Sequence, residues 1–186
     1  MDNGASSYRR FLDGDNEGFV EIINEYGPKL IFFINGLVHN IDVSEEIMED
    51  TFCDLIFYKN RYRNKSSFKT YLFSIAKNKA YDYIKRNKSL SLDDYSNQLR
   101  DFVSLENKIV DNETKIELYS AMSKLNNLYY VFIYLYYFED MSYDEIGKIL
   151  HKNSRQLKNI SYRSKESLKN ILEKEKFFYE DKSNVD

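Results

Sequence analysis

VSEEIMEDTFCDLIFYKNRYRNKSSFKTYLFSIAKNKAYDYIKRNK, residues 43–88, consists of two segments of opposite charge set end to end. Between Asp42 and Asp54 lie six acids (Asp42, Glu45, Glu46, Glu49, Asp50, Asp54) and no base. From Lys59 to Lys88 ten bases face the single acid Asp82. Apolar residues keep helical spacing through both segments: Val43, Ile47, Met48, Phe52, Leu55 and Ile56 in the first, then Phe68, Tyr71, Leu72, Ile75 and Ala76, with Tyr83 and Ile84 beyond. Each segment is therefore expected to form an amphipathic helix with a charged outer face. A face that attracts cations beside one that attracts polyanions points to a chain that binds a protein and a nucleic acid together.

Working outward, the rest of the chain keeps the same period. A single proline, Pro28, and six glycines in 186 residues argue against turn-rich β architecture. Phe11, Leu12, Phe19, Ile22, Ile23 and Tyr26 predict a first helical unit interrupted at Gly14-Asp15, with Met1–Ser7 expected to fray. Gly27-Pro28 predicts a break before a second helix through Leu30, Ile31, Ile34, Leu37 and Val38. Ser44 is the expected cap of the acidic helix, and Ser66 or Ser67 that of the basic one. Lys59–Ser67 has no period and reads as a loop. After Asn87 serine, asparagine and acids dominate to Glu113 without a clean apolar period, as in a linker. Ile116, Leu118, Ala121, Met122 and Leu125 then predict one helix and Tyr129–Phe138 another. The fold class is all-α: an N-terminal helical bundle over residues 8–88, a long acidic linker over 89–113 and a C-terminal helix-turn-helix domain over 114–176.

The helix-turn-helix assignment rests on its own pattern. Ser142 with Glu145 three residues on forms a capping box, followed by Ile146, Ile149 and Leu150 as a buried face. A polar break at His151-Lys152-Asn153 leads into a longer helix with Leu157, Ile160, Ser161, Ser164, Leu168, Ile171 and Leu172 inward. Between Lys152 and Lys169 six bases face the lone acid Glu166. A short helix, a turn and a longer basic helix are the parts of a DNA-reading unit, whose second helix presents its first turns to the major groove. Arg155, Gln156, Lys158 and Asn159 lie at that helix start, and Arg, Gln and Asn make bidentate contacts with base edges. The plain alternative is a solvated basic helix closing a bundle.

Composition sets the outer limits. The formal net charge of −3 excludes a uniformly basic nucleic-acid binder and confines such contact to local patches. One cysteine, Cys53, excludes an internal disulfide and agrees with a reducing cytoplasm; it reads as a small core residue. Met1–Arg10 lacks the apolar core of a secretory signal, and Tyr129–Phe138 is about half the roughly 20 residues a membrane span needs, so no membrane insertion is expected. His39 and His151 stand far apart without further ligands, and no glycine-rich phosphate loop or Ser/His/Asp order is present. Neither a cofactor, a metal nor catalysis is expected. In the basic segment Phe68 and Tyr71 are read as core, whereas Asn64, Lys65, Ser66, Lys77, Asn78, Tyr81 and Lys85 are candidates for nucleic-acid contact, since cations track phosphates and rings stack on unpaired bases. The acids of residues 42–54 lack lysines at i+4, so pairing within their own helix does not account for them.

Taken jointly, these segments resemble the extracytoplasmic-function (ECF) sigma factors of the sigma-70 family. Asp42–Phe52 is similar to that family's DAEDLVQETF, Phe68–Asn78 to FxxWLxxIARN, Asp82–Arg86 to DYLRR, Met141–Gly147 to xSYxEIA, and Leu157–Lys165 to VKSRLxRAR. The likeness covers about residues 14–172 in the family's order. Tyr71 stands where the family usually has Trp, Asn126 where it has Pro, His151 where a turn glycine is frequent and Ile160 where an arginine is. The resemblance implies a non-enzymatic, cytoplasmic subunit that binds core RNA polymerase, through the β′ clamp and β flap, and directs promoter-specific initiation. It implies that Glu45, Glu46, Glu49 and Asp50 meet the clamp, and that Arg61, Arg63, Asn64, Lys65, Ser66, Lys77, Asn78, Tyr81 and Lys85 hold unpaired minus-ten bases. Arg155, Gln156, Lys158, Asn159, Tyr162 and Arg163 would read the minus-thirty-five element of promoter DNA. It also implies an anti-sigma protein as a partner, and a linker whose charge imitates nucleic acid inside a polymerase channel. Other classes are a two-domain DNA-binding regulator acting without core polymerase, and a helical adaptor protein.

Overall fold

The computed structural model describes the backbone of residues 3–87 and 112–183; among these are eight α-helices, one 3₁₀ turn and no strand. The helices are α1 (Asn3–Leu12), α2 (Asn16–Val38), α3 (Ile41–Phe57), α4 (Phe68–Arg86), α5 (Asn112–Ser123), α6 (Asn127–Tyr137), α7 (Tyr143–Leu150) and α8 (Ser154–Ser183), with the 3₁₀ turn at Lys59–Arg61. The all-helical class is as expected. The described residues group into two compact units, one holding α1–α4 together with Ser142–Lys152, the other α5, α6 and α8. Apart from its last two residues, the expected linker lies outside the described part.

In the first unit α2 packs on α1, α3 and α4, and α4 also meets α3 and α7. The chain has no tryptophan, and its phenylalanines and tyrosines fill the core instead. Tyr8, Phe33, Phe68 and Phe73 are all but fully buried. Phe68 is the centre of one cluster, 5.2 Å from Tyr8, 5.5 Å from Tyr62 and 5.8 Å from Tyr26 between ring centres. Tilted and edge-on pairs of this kind add about 0.5–1.5 kcal/mol each beyond the area they bury. Gly4 is buried in α1, where an added Cβ would lie 2.6 Å from atoms of both Phe68 and Tyr26. The expectation of a frayed Met1–Ser7 is thereby corrected from residue 3 onward: the small side chains of this stretch let helix α1 approach the aromatic cluster closely.

Two further expectations change. Gly27-Pro28 does not break the helix; α2 runs through it. Proline removes one backbone bond and costs a helix roughly 3 kcal/mol. Pro28 is exposed, however, and every residue from Phe32 to Val38 is buried, so packing holds the second half in line with the first. The cap of α3 is Asn40, whose side chain accepts from the Val43 amide at 3.0 Å, and not Ser44. Ser44 sits inside the first turn, where its hydroxyl donates to the Asn40 carbonyl at 2.6 Å. His39, left-handed at φ 55°, ends α2 and leaves Asn40 the only residue before α3 begins. Ser67 caps α4 as expected, accepting from the Thr70 amide. The buried face of α4 is Phe68, Thr70, Leu72, Phe73, Ala76, Lys77 and Ala80; Tyr71 and Ile75 are only half-buried.

In the second unit α8 packs against α6 and α5. Tyr130 to Leu135 are buried in succession, and Tyr134 and Phe138 stack at 5.4 Å. Asn126 caps α6 by accepting from the Tyr129 amide, so its side chain supplies the start signal where the family frequently has proline. No helix among the described residues is long and apolar enough to cross a membrane.

Candidate nucleic-acid interfaces

Helix α3 turns Ile47, Thr51, Phe52 and Leu55 inward, which leaves Glu45, Glu46, Glu49 and Asp50 exposed on its outer side. The acids are not all unattended: the Lys79 ammonium of α4 lies 3.4 Å from Asp54 and 3.9 Å from Asp50. This pairing spans two helices and is invisible to an i+4 search along one. Cys53, expected in the core, is exposed, because Phe52 and Leu55 take the inward positions on either side of it. Beyond it Ile56 is 40% and Phe57 77% exposed, so the acidic face ends in an apolar patch that the sequence pattern did not single out.

The end of α3 is tied to the rest of its unit by Tyr8. The Tyr8 hydroxyl donates to the Leu55 carbonyl at 2.9 Å and, at 3.3 Å, to that of Lys59. Burial, reinforced by the nearby Tyr71, pushes this phenol up to about 12. No local sequence signal marks Tyr8, since its partners lie 47 and 51 residues away.

The basic loop follows. The Arg61 guanidinium lies 3.7 Å over the Tyr58 ring, and Tyr62 donates to the Ser66 carbonyl at 3.1 Å, which closes the loop on itself. Arg61, Arg63, Asn64 and Lys65 are exposed and Ser66 half-buried. Asn64 takes the left-handed conformation at φ 53°, which asparagine tolerates better than most residues. On α4, Asn78 and Lys85 are exposed and Tyr81 half-buried, sharing one face by their i, i+3, i+7 spacing. Lys77 differs from the other candidates. It is 6% exposed, its ammonium donates to the Ile149 carbonyl of α7 at 2.7 Å, and burial lowers its pKa.

Helix α7 starts with the expected capping box: Glu145 accepts from the Ser142 amide at 3.0 Å while the Ser142 hydroxyl accepts from the Glu145 amide at 3.3 Å. The other oxygen of the same carboxylate accepts from Ser67 at 2.7 Å and from Thr70 at 3.3 Å. Burial raises the Glu145 pKa, but the hydrogen bonds from Ser67, Ser142 and Thr70 outweigh it and hold the carboxyl below its usual range. His151 ends α7 in the left-handed conformation at φ 54°, filling a position that glycine more often takes. Asn153 and Gln156 then cap each other, with Gln156 N–H to Asn153 Oδ1 at 2.9 Å and Asn153 N–H to Gln156 Oε1 at 3.0 Å.

Helix α8 divides cleanly. Leu157, Ile160, Ser161 and Ser164 are buried, whereas Arg155, Gln156, Lys158, Asn159, Tyr162 and Arg163 are exposed, Tyr162 by 69%. The exposed set follows the i, i+3, i+4, i+7 rule and so forms one continuous polar and basic face. A helix of this kind has the diameter and the donors that a major groove accepts. No group of three or more His, Cys, Asp or Glu able to hold a metal ion occurs among the described residues.

Comparison with known proteins places these surfaces in a family context. The family described as Sigma-70 region 2 matches residues 22–90. The ECF RNA polymerase sigma factor SigW of Bacillus subtilis is 26% identical over 170 residues, covering 86% of this chain and 91% of its own length. SigM of the same organism is 25% identical over 152 residues, covering 80% and 91% respectively. Among solved structures, CnrH in complex with the cytosolic domain of CnrY superimposes with a TM-score of 0.64 at 17% identity, covering 92% of this chain and 95% of that one. The sigma factor RpoE of Bartonella quintana, bound to the anti-sigma factor NepR, gives 0.63 at 20% identity, covering 83% and 96%. The two structural likenesses speak for the fold.

Proposed function

We propose that the chain is a sigma factor of the sigma-70 family, in its ECF group, which it resembles in the Sigma-70 region 2 match over residues 22–90 and in its likeness to SigW, and that it binds core RNA polymerase and directs promoter-specific initiation of transcription. The observation that carries this reading is the division of α8, which keeps every predicted base-reading side chain on the outer face. Glu45, Glu46, Glu49 and Asp50 present a negative rim to the basic β′ clamp, and rim charges chiefly set encounter rate and register. The loop from Arg61 to Ser66 and the α4 face of Asn78, Tyr81 and Lys85 hold unpaired minus-ten bases. Extracting a base from the stack costs a few kcal/mol, which its capture offsets. Arg155, Lys158, Asn159, Tyr162 and Arg163 read the minus-thirty-five element, with Gln156 contributing through whichever part of its amide its cap leaves free. Residues 8–88 and 114–176 serve as the two DNA-contacting modules, and tethering both on one polymerase supplies effective concentration that neither has alone. The protein works in the cytoplasm and carries out no chemistry of its own. An anti-sigma protein is its partner, as the structure of RpoE in complex with the anti-sigma factor NepR suggests by analogy.

Run-off transcription with purified bacterial core polymerase on fragmented host DNA tests the proposal, and absence of any protein-dependent start site refutes it. Arg155→Ala combined with Lys158→Ala is expected to abolish promoter-specific initiation while core binding persists. Equal loss of both would show that the roles are wrongly assigned.

A further inference from the structure

Five of the side chains given to unpaired bases, Arg61, Arg63, Asn64, Lys65 and Ser66, lie between α3 and α4, where no α-helix holds them. Side chains fix this segment instead. At its start the Lys59 ammonium lies 4.6 Å from the centre of the Phe11 ring, and the Lys59 carbonyl accepts from Tyr8 at 3.3 Å. Tyr62 then joins the aromatic cluster, its ring centre 5.2 Å from Tyr71, 5.5 Å from Phe68 and 5.9 Å from Tyr8. From that seat its hydroxyl donates to the Ser66 carbonyl at 3.1 Å. The bond closes residues 63–65 into a projection whose three side chains are exposed, with Asn64 left-handed at φ 53° inside it. A loop left open must be ordered by its ligand, and the free energy of that ordering is subtracted from the affinity.

We infer that Tyr62 is a positioning residue for base capture: its ring stays in the aromatic cluster, and its bond to the Ser66 carbonyl holds Arg63, Asn64 and Lys65 in the arrangement that receives an unpaired base. The latch acts before the strand arrives, so capture does not have to order the loop first. Attraction of the phosphates is a separate matter, since the cations keep their charge whether the loop is closed or open. The latch therefore governs the part of the affinity that comes from bases. This rests on the proposed function for the identity of the ligand, but not for the closure of the loop.

The experiment uses the full chain and two readouts. Backbone order parameters from nitrogen-15 relaxation report the loop without polymerase or DNA. Fluorescence anisotropy reports binding of two labelled probes: a single-stranded DNA oligonucleotide of mixed sequence, and an abasic oligonucleotide of equal length and charge. In the natural chain residues 63–65 are expected near the rigid value of about 0.85, and the strand that carries bases is expected to bind more tightly than the abasic one. Tyr62→Phe keeps the ring and removes only the donor. It is expected to lower those order parameters towards about 0.6 and to weaken the strand that carries bases by about three- to tenfold, with abasic binding unchanged within about twofold. Tyr71→Phe makes the same chemical change in the neighbouring ring and is expected to alter neither readout. The inference is overturned if the loop of Tyr62→Phe stays as rigid as in the natural chain, or if it loosens without weakening the strand that carries bases. It is overturned equally if abasic binding falls as much, or if Tyr71→Phe has the same effects. Failure of the sigma-factor reading looks different: the natural chain binds both oligonucleotides alike and supports no polymerase-dependent transcription, while Tyr62→Phe still loosens the loop.

Discussion

Replacing Tyr8 by Phe isolates one hydroxyl that anchors the end of the acidic helix. The ring is 1% exposed and packs on Phe68 and Tyr62, and Phe keeps that packing. What is lost is a donor to the Leu55 carbonyl at 2.9 Å and to that of Lys59 at 3.3 Å. One buried hydrogen bond with an acceptor left behind amounts to about 1–2 kcal/mol. In a domain of this size each kcal/mol lowers the melting temperature by about 4–8 °C. The effect also has a pH signature. Burial moves the phenol from its ordinary 10.0 to about 12, so the folded state holds the proton more tightly than the unfolded one. Below pH 10 this contribution is fully present. Between 10 and 12 the unfolded chain ionises while the folded one does not, and stability falls. At pH 11 the loss reaches about 1.4 kcal/mol, and well above 12 about 2.7 kcal/mol. Phe has no such proton. Urea unfolding followed by circular dichroism should therefore show the variant less stable by about 1–2 kcal/mol at pH 7 and nearly equal to the natural chain at pH 11. Tyr71 and Tyr81, also raised chiefly by burial, titrate in both proteins and cancel from the difference. A difference that does not change with pH, or its absence at pH 7, refutes the reasoning.

Gly18→Ala places a Cβ against the backbone carbonyl oxygen of Ser7, which no side-chain rotation relieves, and should cost roughly 1–3 kcal/mol in chemical denaturation. Ser142→Ala removes half of the α7 capping box and should lower stability by about 1 kcal/mol, with hydrogen exchange rising first in the amides of α7. Changing Glu45, Glu46 and Glu49 together to Gln should slow association with core polymerase at low salt by about tenfold and leave dissociation nearly unchanged, as surface plasmon resonance would measure; an effect confined to dissociation would contradict a rim role.

The sequence by itself determined the helical class, most element positions, the capping box at Ser142 and the outward face of α8. Those features depend on residues a few positions apart, where helix geometry alone decides which side chains share a face. It also carried the resemblance to the ECF sigma factors, because several short motifs in one order are a property of the chain and not of its folding. Tertiary structure alone decided the rest. Pro28 continues a helix because the residues beyond it are buried nearly all round, an energy that no local propensity contains. Cys53 and Phe57 face outward because α3 meets its unit on the side of Phe52 and Leu55. Lys77, a candidate for nucleic-acid contact by sequence, is buried under a carbonyl 72 residues away, and Tyr8 finds its acceptors 47 and 51 residues on. Contacts of that span arise only when separate helices are brought together by apolar packing, and a pattern read along the chain does not register them.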